Sequence, residues 1–137
     1  MNVGLNMARQ IYLSTLDLEI HGTNPPTTAE GLQTLVDRLR PEISLIENPE
    51  GANMLRSFGH LMNQYSAAYY GYLWAEVLSA DMFAQCFEKD PFDAKAGKRY
   101  RDLVLAPGGV GKILDHLTTF LGRPPSQEAF LKSRGIA

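Results

Sequence analysis

The 137-residue chain has one cysteine, one tryptophan and three histidines, and its longest apolar stretches are broken by charge within a dozen residues. Each scarcity excludes something. Cys86 has no partner for an internal disulfide, which fits a reducing compartment and makes a cytoplasmic location the expectation. No segment has the run of about 20 apolar residues that spans a bilayer, and MNVGLNMARQ lacks the basic flank, apolar run and cleavage site of a signal peptide. Neither sign of charge dominates: 13 Lys and Arg stand against 15 Asp and Glu, for a formal net charge of −2. With the basic residues dispersed, there is no electrostatic footprint for nucleic acid. Peptides, proteins or small molecules are the expected partners, with no nucleic acid and no membrane. His21, His60 and His116 are far apart, none has a second His or Cys at helix-face spacing, and there is no His-Glu-x-x-His. The chain therefore shows no local metal site.

Alternation of apolar and polar residues is also missing, whereas helical periodicity is abundant, so the expected fold class is all-α. An apolar content of 45% in 137 residues supports one domain, a single helical region over 1–137. Residues 2–21 carry Val3, Leu5, Ile11, Leu13, Leu16, Leu18 and Ile20 around much of a helix, which predicts more than one buried face. Thr27 followed by Glu30 has the spacing of a capping box and is expected to open a second helix, with Leu32, Leu35, Val36 and Leu39 on one side and Pro41 as its stop. Residues 44–66, with Pro49, Gly51 and Gly59, read as a long irregular connection, a common home for function. Further helices are expected over 67–88, over 92–105 from an Asp93 cap, over 112–121 ending at Gly122, and from a Ser126 cap through Lys132.

Two motifs invite chemistry and are set aside. APGGVGKI nearly spells a phosphate-binding loop, but Ile113 replaces the required Ser or Thr and no βαβ pattern surrounds it, so a turn between helices is expected. Cys86 lies on an apolar helix face with no neighbouring His, the setting of a small hydrophobe and not of a nucleophile. His21, at a helix end, is expected to bind the exposed carbonyls there, and His116 to be a partly buried or surface helix residue.

The stretch HLMNQYSAAYYGYLW concentrates four of six tyrosines in eight positions. On a helix, Tyr65, Tyr69 and Tyr72 would share one stripe and Tyr70 would point elsewhere. Spacing alone fits an aromatic core stripe. Three phenols each needing a hydroxyl partner fit a wet cleft better, and a mid-helix Gly71 suggests a bend or a close backbone approach.

FGHLMNQYSAAYYGYLWAEVLSADMF, together with YRDLVLAPGG, FLGRPPSQEAFLKSRGI and more weakly ARQIYLSTLDLEIH, resembles the C-terminal portion of the thimet oligopeptidase, neurolysin and oligopeptidase A family of zinc metallopeptidases. The resemblance implies a mostly helical, two-lobed peptidase whose deep channel admits short peptides. It implies Zn2+ for the full-length family, held by a His-Glu-x-x-His and a glutamate that lie upstream of the matched region; no ligand is in this chain. It also assigns the substrate-binding and transition-state-stabilising segment to this chain. Tyr72 would donate to the oxyanion formed when activated water attacks the peptide carbonyl, Tyr65 and His60 would be further donors to substrate or oxyanion, and Tyr69 a substrate contact. Where the family carries paired glycines, Asn63 and Gln64 stand here, which is expected to restrict loop closure. Alone, the chain is expected not to hydrolyse peptides, whether it is a domain or a short gene product. The alternative is a stand-alone helical module that binds peptides or another chain, or self-associates through the uncovered sides of the first helix.

Overall fold

The computed structural model describes residues 2–62 and 65–136, so the expected effect of Asn63 and Gln64 lies outside the described residues. Among the described residues all regular structure is helical, as the periodicity predicted, and no helix is long and apolar enough to cross a membrane. The chain falls into two compact units, residues 1–73 and 74–137.

In the first unit α1 (Val3–Ile20) packs on α2 (Ala29–Ser44). Leu13, Leu16, Val36 and Leu39 are buried between them, each side chain contributing about 1.5–3 kcal/mol, and Tyr12, Phe58 and Tyr69 complete the cluster. Only one face of α1 is covered: Val3, Leu5, Ile11 and Leu18 remain exposed, so the expectation of several buried faces is not met by this unit. The start of α2 is also corrected. Thr28, not Thr27, is the cap, its Oγ1 accepting from Gly31 N at 3.0 Å, and Gly31 at the third position precludes a capping box. Nor does Pro41 end α2, which continues to Ser44. Asn48 binds the side chains of this stretch: its Nδ2 donates to Asp37 Oδ1 at 2.7 Å and its Oδ1 accepts from Arg40 Nη1 at 2.8 Å. The following connection is irregular, as expected, with short 3-10 turns at Met54–Ser57 and Gly59–Met62.

Helix α3 (Gly71–Cys86) begins in the first unit and supplies the start of the second. There α4 (Ala94–Tyr100) is capped by Asp93, which accepts from the amides of Lys95 and Ala96, and it widens into a π-helical turn at Arg101–Leu105. Helix α5 (Ile113–Leu121) ends on Gly122 at φ 76°, a left-handed stop that glycine adopts without penalty. The expected Ser126 cap is corrected by one position: Gln127 is the residue that precedes α6 (Glu128–Ser133) and its side chain makes no cap bond, while Ser126 Oγ accepts from Glu128 N at 3.2 Å. Phe120 is fully buried and meets the rings of Phe87 and Tyr100 at 6.5 and 5.8 Å. APGGVG is a turn, as read, and His116 Nε2 donates across it to the Val110 carbonyl at 2.7 Å. Cys86 is half-buried, and burial pushes its thiol up.

The second unit contains a buried acid, Asp81, 2% exposed. Arg123 grips it with both guanidinium nitrogens, at 2.6 and 2.8 Å, and the Ser126 amide donates at 2.7 Å. The hydrogen bond from Arg123 holds the Asp81 carboxyl below the usual value against the opposing effect of burial. Such a lowered group stabilises the fold fully above its unfolded value of about 3.9, and the contribution is lost as pH falls through the lower folded value. Asp81→Asn is therefore expected to lower the denaturation midpoint at neutral pH, by about 1–3 kcal/mol in stability given a partly solvated Arg123. The gap from wild type should shrink as pH is taken toward 3, so a gap independent of pH in urea titrations would refute this role.

Candidate functional site

The tyrosine-rich segment does not form the predicted continuous helix. Residues 65–67 and 69–70 are turns, held by hydrogen bonds from Ala68 N to Tyr65 O and from Gly71 N to Ala68 O, both 3.0 Å, and α3 starts only at Gly71. The reason is a buried carboxylate on α1. Asp17, 1% exposed, accepts from the amides of Ala67 and Tyr69, both at 3.0 Å, one to each oxygen. These amides would point along the axis in a helix; here they point at Asp17, and Ala67 adopts φ 57°. His21 joins from one helical turn on, its Nδ1 2.8 Å from the Asp17 carbonyl and 3.0 Å from Oδ1, the helix-end contact expected for it. Gly71 is the first residue of α3, where a Cβ would meet nothing within 4 Å. It makes neither the mid-helix bend nor the close approach predicted for it.

The phenols still converge, around His60 instead of along a helix face. Its ring centroid lies 5.8 Å from Tyr65, 5.1 Å from Tyr69 and 5.8 Å from Tyr72, and Tyr69 meets Tyr72 at 5.2 Å, edge to face. Phe58 closes the group from below, 5.2 Å from Tyr69 and 5.8 Å from His60. His60 Nε2 and the Tyr72 hydroxyl are 3.2 Å apart, a hydrogen bond. Tyr72 and Tyr65 are about half exposed while Tyr69 is 6% exposed, so two hydroxyl-bearing rings face solvent over a buried third. Tyr70 takes part in none of these ring contacts and is exposed. The arrangement offers two phenol donors and an imidazole to one patch of solvent, backed by aromatic edges. Among the described residues no three His, Cys, Asp or Glu side chains are placed to hold a metal ion. The donor set is phenols and one imidazole, which does not fit a zinc centre.

Comparison with known proteins places the chain in a peptidase family. The model of peptidase family M3 matches residues 1–136. The chain belongs to peptidase family M3. Saccharolysin of Saccharomyces cerevisiae is 46% identical over 145 residues, covering 99% of this chain and 19% of the yeast protein. Thimet-like oligopeptidase of Dictyostelium discoideum is 36% identical over 136 residues, covering 99% of this chain and 20% of that protein. Probable cytosolic oligopeptidase A of Arabidopsis thaliana is 37% identical over 133 residues, covering 93% and 19%. The chain thus spans about a fifth of the length of the family M3 relatives it matches.

Sequence reasoning missed Asp17 and Phe58, the residues that place this family M3 chain's tyrosine segment. A signal for the first was present: Asp17 and His21 are polar residues at i, i+4 on a helix otherwise rich in leucine and isoleucine. Asp17→Asn puts an amide donor against one of the two backbone N–H groups, and it is expected to cost about 1–3 kcal/mol. Denaturant unfolding measures the loss, and an unchanged midpoint would show that the carboxylate does not hold the turn.

Proposed function

We propose that residues 1–137 form one substrate-binding and transition-state-stabilising part of a longer family M3 oligopeptidase that hydrolyses short peptides. The observation that carries this reading is the hydrogen bond between His60 and Tyr72 within a half-exposed ring of phenols. A phenol O–H is a suitable donor to the oxyanion of a tetrahedral intermediate. For Tyr72 to spend its proton on substrate, His60 must carry its proton on Nε2 and donate to the phenol oxygen. That polarises the O–H and leaves it free to point outward. Tyr65, on the other side of His60, is a second donor within reach of the same patch, and Tyr69 is the floor that a bound peptide would rest against. His60 itself is a further donor if substrate displaces Tyr72 from it.

Zn2+ belongs to this proposal as a component held by residues outside the chain, because the residues here do not fit it. The attack on the peptide carbonyl is then generated elsewhere, and these side chains stabilise what results. The segment alone is accordingly inactive. Action on short peptides is supported by the relatives' names, which are those of oligopeptidases, and a cytosolic setting by the name of the Arabidopsis relative.

In a longer family M3 enzyme carrying this segment, Tyr72→Phe is expected to lower kcat about 10²-fold with little change in KM. An unchanged kcat would remove Tyr72 from the mechanism. The purified 137-residue chain should cleave no fluorogenic peptide with zinc added, and cleavage abolished by Tyr72→Phe would overturn the claim of inactivity.

A second reading, a non-catalytic helical interaction module, rests on the exposed apolar residues: Val3, Leu5, Ile11 and Leu18 on α1, and separately Trp74 and Phe83 on α3. Such surface is more than an isolated soluble helix pair needs, and it suits cover by the rest of the polypeptide or by a second copy. Light scattering distinguishes these: self-association of the chain favours the module, and a monomer without dye-accessible apolar surface counts against it.

A further inference from the structure

The tyrosine donors stand on a segment that does not hold its own shape. Ala67 adopts φ 57°, in the left-handed region that a residue with a Cβ enters only at a cost, and no glycine stands between Tyr65 and Tyr70 to relieve it. What holds the turn comes from α1. Asp17 Oδ1 accepts from Ala67 N and Oδ2 from Tyr69 N, both at 3.0 Å. Asp17 is itself fixed, because His21 Nδ1 lies 3.0 Å from Oδ1 and 2.8 Å from the Asp17 carbonyl. Both of those atoms are acceptors, so Nδ1 is the nitrogen that carries a proton in the neutral ring and in the cation alike. The carboxylate thus receives three N–H donors and cannot turn without losing bonds.

Tyr69 carries this hold to the donors. Its amide is bound to Asp17, and its carbonyl accepts from Tyr72 N at 3.2 Å, at the start of α3. Its buried ring lies 5.2 Å from that of Tyr72 and 5.1 Å from that of His60. A shift of Tyr69 therefore moves the backbone of Tyr72 and the packing of its ring together. Oxyanion donors act through preorganisation, and a displacement of about 1 Å can cost about 10²-fold in rate. Asp17 is 1% exposed and out of reach of substrate, so any part it has in the reaction passes through the groups it holds. We propose that Asp17, oriented by His21, is a positioning residue for Tyr72 and sets where the phenol stands beside His60 when the oxyanion forms. This rests on the reading of Tyr72 as an oxyanion donor given above.

A double-mutant cycle in the longer family M3 enzyme carrying this segment tests this, with kcat and KM measured on a fluorogenic peptide for variants whose far-UV circular dichroism matches wild type. Asp17→Asn is expected to lower kcat about 10-fold or more with KM nearly unchanged. His21→Ala, a milder change at a partly solvated ring, is expected to lower it about 3-fold and carries the test if Asp17→Asn does not fold. In a Tyr72→Phe background both losses should shrink to less than about 2-fold, because a residue that acts through Tyr72 then has nothing left to position. In the 137-residue chain, either folded variant should displace the NMR signals of the His60 and Tyr72 rings. Losses of equal size in both backgrounds, a raised KM with kcat unchanged, a kcat indifferent to both substitutions, or ring signals that stay in place would overturn the proposal. If Tyr72→Phe is slow and the losses are equal in both backgrounds, the donor role of Tyr72 stands and only the positioning role of Asp17 falls. If Tyr72→Phe leaves kcat unchanged, the donor role falls and takes this inference with it.

Discussion

The arrangement of the first unit depends on a carboxylate taken out of water. Asp17 is 1% exposed, and a charge there is tolerable only if its lone pairs are met. Two backbone amides, those of Ala67 and Tyr69, meet them from about fifty positions along the chain. This exchange has a structural consequence, because amides committed to a side chain cannot also build a helix. The turn at 65–70 exists since Asp17 requires it, and the left-handed φ of Ala67 is a strain that the carboxylate holds in place. Tyr65, Tyr69 and Tyr72 then leave the backbone in directions no single helix would provide, and His60 can sit among them.

The second unit uses the same device independently. Asp81 is another nearly inaccessible acid within a helix, and it too accepts from a backbone amide, that of Ser126, with Arg123 completing the set. In both cases a charged residue on a helix organises an irregular segment far away in sequence. Irregular segments have few intrinsic preferences, so a strong, directional acceptor supplies what propensity does not.

At the ring cluster, the chemistry follows from which atoms are left uncommitted. Tyr69 is buried against Phe58, whereas Tyr65 and Tyr72 keep about half their surface. The imidazole at the centre is bonded to one of them, so the proton position on His60 governs what Tyr72 can offer. The chain spans about a fifth of the length of relatives named as oligopeptidases and their kin, and among the described residues no three His, Cys, Asp or Glu side chains are placed to hold a metal ion.

Local signals in the sequence were sufficient for the all-α class, the Asp93 cap, the Gly122 stop and the irregular connection after α2, because each reflects hydrogen bonding or periodicity within a few residues. The gathering of His60 with the tyrosines was legible only as a crowd of phenols and a family likeness. Their geometry was not: the predicted helical stripe gave way to a turn because Asp17, about fifty positions away, takes the Ala67 and Tyr69 amides, and the capping box at Thr27, the stop at Pro41 and the bend at Gly71 did not form either. The sequence by itself determined which segments are helices and which residues could do chemistry; tertiary structure alone decided where those residues point, since a buried charge must be satisfied by whatever donor the fold can bring to it.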